Sequence, residues 1–225
     1  MHIVYGYADT QTEWNCARWR AHLLSNGINY WHDKNPKAFP HTAAMYFLPS
    51  MLDLDHPSVQ DKIGRGDVIV YQRNVIWDGI WRTMDYWRAL GKIVLVDLDD
   101  GYSIIPPSNP AFPFWIANVN EMDPHPVERL REGLKHADAL IAPSEVLLRD
   151  WANDVPGYLW PNYPPEESYR DLDHKPVGAP DFLFEYKKPE GEEKPILHKA
   201  QRPDSEGQIV IGWGGSISHV DSFYY

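Results

Sequence analysis

A chain of 225 residues, 43% hydrophobic and 24% charged, can bury a sizeable core and has the composition of an ordinary folded domain. Its formal net charge of -11, with no Lys/Arg cluster, speaks against general nucleic-acid binding. The single cysteine, Cys16, excludes an internal disulfide and a cysteine-rich zinc site and fits a cytoplasmic protein. No stretch approaches the roughly 18 consecutive apolar residues of a membrane span.

The first residues carry no basic leader, so HIVYGY at 2–7 reads as an opening strand and not as a signal peptide. A polar loop follows, and Thr12 and Asn15 offer capping side chains to a helix that carries Ala17, Trp19, Arg20, Leu23 and Leu24. Ser25-Asn26-Gly27 is expected to stop it. Arg18 and Arg20 near the helix start bring a guanidinium towards an anionic ligand at the sheet edge. Tyr30-Trp31 is expected to close a second strand. The proline-bearing stretch after it reads as irregular with a short helix, and His32, His41 and His56 lack metal-ligand spacing.

Val68 to Asn74, VIVYQRN, reads as a buried strand whose end delivers Gln72, Arg73 and Asn74. The helix expected from Gly79 to Leu90 has a packed face of Ile80, Trp81, Met84, Trp87 and Leu90, and Gly91 ends it. Ile93-Val94-Leu95-Val96 is apolar at consecutive positions, as befits a strand buried on both faces of a parallel sheet. It runs directly into Asp97, Asp99 and Asp100. Ligands of open α/β sheets bind beyond the carboxyl ends of the strands, so this acidic turn stands where chemistry is usually done. Like charges this close oppose one another's ionisation and need compensating partners.

Four prolines keep 104–120 from being regular structure, and Phe112, Phe114 and Trp115 are expected to anchor that loop. A helix at Val127 to Lys135, a strand at Ala139 to Ala142, a helix at Val146 to Ala152 capped by Ser144 and a last strand at Tyr158 to Trp160 complete the pattern. Residues 163–207, rich in Pro, Glu, Lys and Asp, read as a linker or surface excursion. Ile209-Val210-Ile211 then leads into Gly212-Trp213-Gly214-Gly215-Ser216. Such a glycine turn before a helix presents N–H groups to phosphate.

HIVYGY with NCARWRAHLLSNGI, DVIVYQRN, GKIVLVDLDDGYSIIPP, HADALIAPSEVLLRDW, YLWPNYP and IVIGWGGSISHVDSF, in that order, resemble the GT-B glycosyltransferases of the group 1, family 4-like type found in bacteria and phages. The resemblance implies an α/β fold: a Rossmann-like, acceptor-side parallel sheet flanked by helices over 1–162, and the start of a donor-side Rossmann domain over 208–225. The chain then stops short of the second Rossmann domain, so it reads as a truncated transferase whose missing half is a further domain or a partner subunit. The implied activity moves a sugar from a nucleotide-sugar donor to a hydroxyl of a carbohydrate or other acceptor, with no cofactor. Asp99 or Asp100 is then the catalytic base, and Gly214, Gly215 and Ser216 hold the diphosphate. Gly6, Arg18, Arg73 and Asn162, on elements whose ends are expected to converge on the same cleft, are the remaining candidate ligand contacts.

Three other readings compete. Asp97-Leu98-Asp99 has the form of the D-x-D motif of GT-A transferases, which holds a divalent metal. The same motif occurs in haloacid-dehalogenase-like phosphatases, where it opens the chain and is followed by Gly-Thr, unlike Gly101-Tyr102 here. A non-catalytic binding or assembly module that kept the fold is the third.

Overall fold

The computed structural model describes residues 1–8 and 16–162, together with the backbone of 182–187 and 196–201. The first part is an α/β unit built on a six-stranded, all-parallel sheet flanked by helices, in a Rossmann-like arrangement. The strands are β1 (His2–Tyr7), β2 (Thr42–Phe47), β3 (Val68–Gln72), β4 (Ile93–Asp97), β5 (Ala139–Ala142) and β6 (Gly157–Leu159). Their order across the sheet is β2-β1-β3-β4-β5-β6. The chain therefore reverses its direction of travel at β1, and the crevice between the carboxyl ends of β1 and β3 is the topological switch point.

The central strands are apolar for most of their length because both of their faces are covered. Every residue of β3 and of β5 is buried. On one face Val4, Ile69, Tyr71, Val94, Val96 and Leu140 join a large core with Met84 and Trp87 of α3 (Asp78–Ala89) and Leu130 and Leu134 of α5 (Pro126–Lys135). On the other, Tyr5, Ala43, Val68, Val70 and Ile141 meet Ala21, with Leu24 and Ile28 of α1 (Leu23–Lys34). Gly91 has φ 76°, the left-handed conformation that a glycine adopts without strain, and it ends α3 as expected. Gly133 is required by close approach: a Cβ there would stand 1.8 Å from the Val75 carbonyl oxygen.

Two expectations fail near the amino end. Ser25-Asn26-Gly27 does not stop the first helix, which continues to Lys34 and places Tyr30 and Trp31 within it. Leu24 and Ile28 pack against the sheet from this helix, whereas the space around a Cβ at Gly27 is open, so the glycine sits on the solvent side where its weak propensity is tolerated. The second strand is instead Thr42–Phe47, inside the stretch read as irregular, and it pairs with β1 in parallel along its whole length. The helix also starts irregularly, with a π-helical turn at Arg18–His22 that buries both Arg20 and Ala21.

Further along, α2 (Pro57–Lys62), the single turn α4 (Phe112–Trp115) and α6 (Glu145–Asp150) complete the unit, the last capped by Ser144, whose Oγ accepts from the Leu147 N–H. Trp115 is buried against Tyr102, ring centroids 4.4 Å apart, and Phe114 packs on the same core. These aromatics anchor their loop. Within 163–207, read as a linker, β7 (Phe182–Lys187) and β8 (Ile196–Gln201) form an antiparallel pair of their own. The expected strand at 209–211 and glycine turn at 212–216 lie outside the described residues. No helix among the described residues is long and apolar enough to cross a membrane.

Candidate functional site at the carboxyl ends of the strands

The acidic turn leaves β4 between the ends of β3 and β5, and its three carboxylates have three different surroundings. Asp97 is the last residue of β4, in register with Gln72 and Ile141. Its side chain is 1% exposed and faces the equally buried Arg20. Arg20 Nε donates to Oδ1 at 2.9 Å and Oδ2 at 3.0 Å, and Nη2 stands 2.8 Å from Oδ1. The other arm of the guanidinium crosses the tip of β5: Nη1 donates to the Trp160 carbonyl at 2.7 Å and to Asn162 Oδ1 at 2.9 Å. Burial pushes the Asp97 carboxyl up, to about 7, while the charge and hydrogen bonds of Arg20 pull it down and Asp99 pushes it up again.

Asp99 has a side chain only 7% exposed. Tyr102 donates its hydroxyl to Oδ1 at 2.8 Å, and Arg73 Nη1 lies 3.6 Å from Oδ2. Arg73 reaches it from a backbone with φ 44°, unusual for a long side chain, fixed by its own N–H bonding the Asp97 carbonyl at 2.9 Å. Asp100 is exposed to solvent. Cys16, arriving just before the π-turn, brings its Sγ to the same place: that atom and one carboxylate oxygen each of Asp99 and Asp100 lie within 4.8 Å of one another. Burial first, then the Asp99 charge and hydrogen bond, push the Cys16 thiol well above the usual range.

The structure thus brings together Asp99, Asp100, Arg73 and Asn162 of the residues expected from sequence, the last through Arg20. Arg18 lies half-buried in the π-turn, and it is Arg20 that spans the strand tips. Gly6 sits within β1 with a virtual Cβ 2.7 Å from Met51 Sδ and 3.2 Å from Leu48 Cδ1, so packing of the Leu48–Met51 turn accounts for the missing side chain. Gly214, Gly215 and Ser216 lie outside the described residues. Asp97 and Asp99 do not form a chelating pair, because both oxygens of Asp97 are engaged by Arg20. Among the described residues, Cys16, Asp99 and Asp100 are the group that could hold a divalent ion in this turn, and an ion bound by the thiolate would displace the thiol proton.

Sequence reasoning aimed Arg20 at an anionic ligand and placed Gln72 at the end of its strand without a role, and it gave Cys16 and Tyr102 no part in the site. A signal for Arg20 was present: Ala17, Arg20, Ala21 and Leu24 follow i, i+3, i+4, i+7 spacing, which puts an arginine on the buried face and demands a buried carboxylate. A surface hollow of ≈ 480 Å³, lined by His2, Ala44, Tyr46, Asp61, Lys62 and Arg65, lies beside the amino end of β1 and away from the acidic turn. Comparison with protein-family models finds no match, and a search among curated proteins finds none either.

Proposed function

We propose that this chain acts on the acceptor side of a glycosyl transfer from a nucleotide-sugar donor to a hydroxyl, with Asp100 as the base. The observation that carries the reading is the exposed carboxylate of Asp100 at the carboxyl end of a buried parallel strand, on the turn that also carries the buried side chains of Asp97 and Asp99. In the step envisaged, the acceptor oxygen bonds to the anomeric carbon as its proton passes to Asp100. The bond from that carbon to the donor's diphosphate oxygen breaks, and the diphosphate leaves with the electron pair. Asp99, tied to Tyr102 and Arg73, positions Arg73.

The pairing of Asp97 and Asp99 also supports a second reading, a binding module in which the strand tips hold a carbohydrate without turning it over. One experiment separates them. The chain is incubated with radiolabelled UDP-glucose and GDP-mannose and a panel of methyl glycosides and maltooligosaccharides, and transfer is read alongside saturation-transfer NMR. Transfer that falls at least about a hundredfold in Asp100→Asn, with sugar binding retained, is expected of the transferase, in line with the usual contribution of a general base. Binding without transfer selects the module, and neither binding nor transfer rejects both.

A further inference from the structure

Gln72 ends β3 at the switch point, 3% exposed, and its side chain crosses to the neighbouring strand: Oε1 accepts from the Ala8 N–H, just past β1, at 3.0 Å. That bond fixes the orientation of the amide, because a flipped side chain would set its NH2 against another N–H. The group turned the other way is therefore the donor, and Nε2 is buried with no hydrogen-bond partner. A buried amide NH2 left unpaired is destabilising, and an instance in a folded protein calls for a ligand, a water or a strained site. We infer that the Gln72 amide is the donor that reads an uncharged oxygen, hydroxyl or carbonyl, of the ligand occupying the crevice between β1 and β3. This deepens the glycosyl-transfer reading and rests on it for the ligand's chemistry.

Charge decides between an uncharged oxygen and a phosphate. The guanidiniums beside Gln72, those of Arg20 and Arg73, each face a carboxylate. A phosphate asks for cationic donors, while a sugar hydroxyl is matched by the neutral amide N–H of Gln72. Gln72 lies on the same sheet face as Asp97 and Arg20, so its neighbours hold the crevice in place as well as setting its charge.

The test follows the Gln72 side-chain NH2 signals of the 15N-labelled chain, assigned by their loss in Gln72→Met, during titration with methyl α-D-glucopyranoside, methyl α-D-mannopyranoside, UDP and UDP-glucose. At least one glycoside is expected to shift these signals and UDP to leave them unmoved. Gln72→Met should weaken that glycoside about tenfold or more, the equivalent of one hydrogen bond. Gln72→Glu keeps the acceptor for Ala8, and its binding should recover as the pH is lowered and the acid regains a donor proton. A glycoside that moves the Arg73 and Asp100 backbone signals but not Gln72 overturns the inference and leaves the transferase reading standing. A water cross-peak to Gln72 that persists with the glycoside bound overturns it as well. If no probe moves any strand-tip signal, both fall.

Discussion

Replacing Arg20 by Met should be among the most damaging single changes available in this fold. The guanidinium is 1% exposed, faces both oxygens of a carboxylate that is also 1% exposed, and ties that carboxylate to the Trp160 carbonyl and Asn162 at the end of β6. Methionine fills part of the volume but leaves Asp97 buried without a counter-charge. Breaking a buried pair in this way costs about 3–5 kcal/mol, a large part of the roughly 5–15 kcal/mol that holds a domain folded. The carbonyl of Trp160 adds little, since the end of β6 is exposed and water can replace the donor.

Urea unfolding at about pH 8, where Asp97 is ionised, gives the number directly. Arg20→Met combined with Asp97→Leu should lie within ~2 kcal/mol of the parent, because an apolar pair replaces an ion pair at small net change. Hydrogen exchange adds a local readout: the Trp160 N–H, which bonds the Ala142 carbonyl at 2.8 Å, should lose more protection in Arg20→Met than the β3 amides do. A single variant within ~1 kcal/mol of the parent, or a double variant worse than the single, would refute the claim that this pair is buried and mutually dependent.

Because burial raises the Asp97 carboxyl from 3.8 to about 7, the folded chain holds a proton there that the unfolded chain has already released. The stability it contributes is thus complete below its unfolded value and is lost as pH rises towards 7. The urea midpoint of Asp97→Asn should lack that downward slope, and parallel pH profiles would count against it. At the sheet edge, the Asn29 side chain bonds both backbone groups of Ala43, accepting from its N–H at 2.8 Å and donating to its carbonyl at 2.9 Å. Thr42 N–H faces β1, so those of Ala43 face outward, and Asn29 plugs the open edge there. Asn29→Leu should lose about 1–2 kcal/mol and self-associate on size exclusion at raised concentration; unchanged elution refutes the plug. Gly133→Ala drives a methyl into the Val75 carbonyl, which also accepts from Trp81 Nε1 at 2.7 Å, and should lower stability by at least about 1–3 kcal/mol in the same urea assay.

Strands buried on both faces were legible because continuous β-branched runs have few other uses: 68–72, 93–97 and 139–142 are where the sequence placed them. Thr42–Phe47 was not, since Ala43 and Ala44 have little β propensity and the strand exists through its pairing with β1. The false stop at Ser25-Asn26-Gly27 shows the same override in a helix, where contacts of Leu24 and Ile28 outweigh a local glycine. The acidic turn was legible as a place but not as an arrangement. Nothing local in Asp97-Leu98-Asp99-Asp100 reveals that Arg20, 77 positions from Asp97, neutralises one carboxylate while Arg73 attends another. Gln72 was hidden for a related reason, since an orphaned donor is visible only once every partner around it has been placed.

That arrangement constrains the chemistry beyond the choice of base. Chelation by an Asp97–Asp99 pair, or hydrolysis between two facing carboxyl groups, needs two carboxylates disposed towards the substrate. Here either would require withdrawing Asp97 from a buried guanidinium or Asp99 from both Tyr102 and Arg73. A reaction that asks for one carboxylate leaves both pairs intact, and Asp100 is the member of the three that solvent reaches. The two ion pairs then act as the frame of the site: Arg20 ties β4 to β6 across β5, and Arg73 ties β3 to the turn after β4. Fixing three strand tips in this way would serve single-base transfer, because the proton acceptor must be held within hydrogen-bond reach of an incoming hydroxyl for the reaction to gain from proximity.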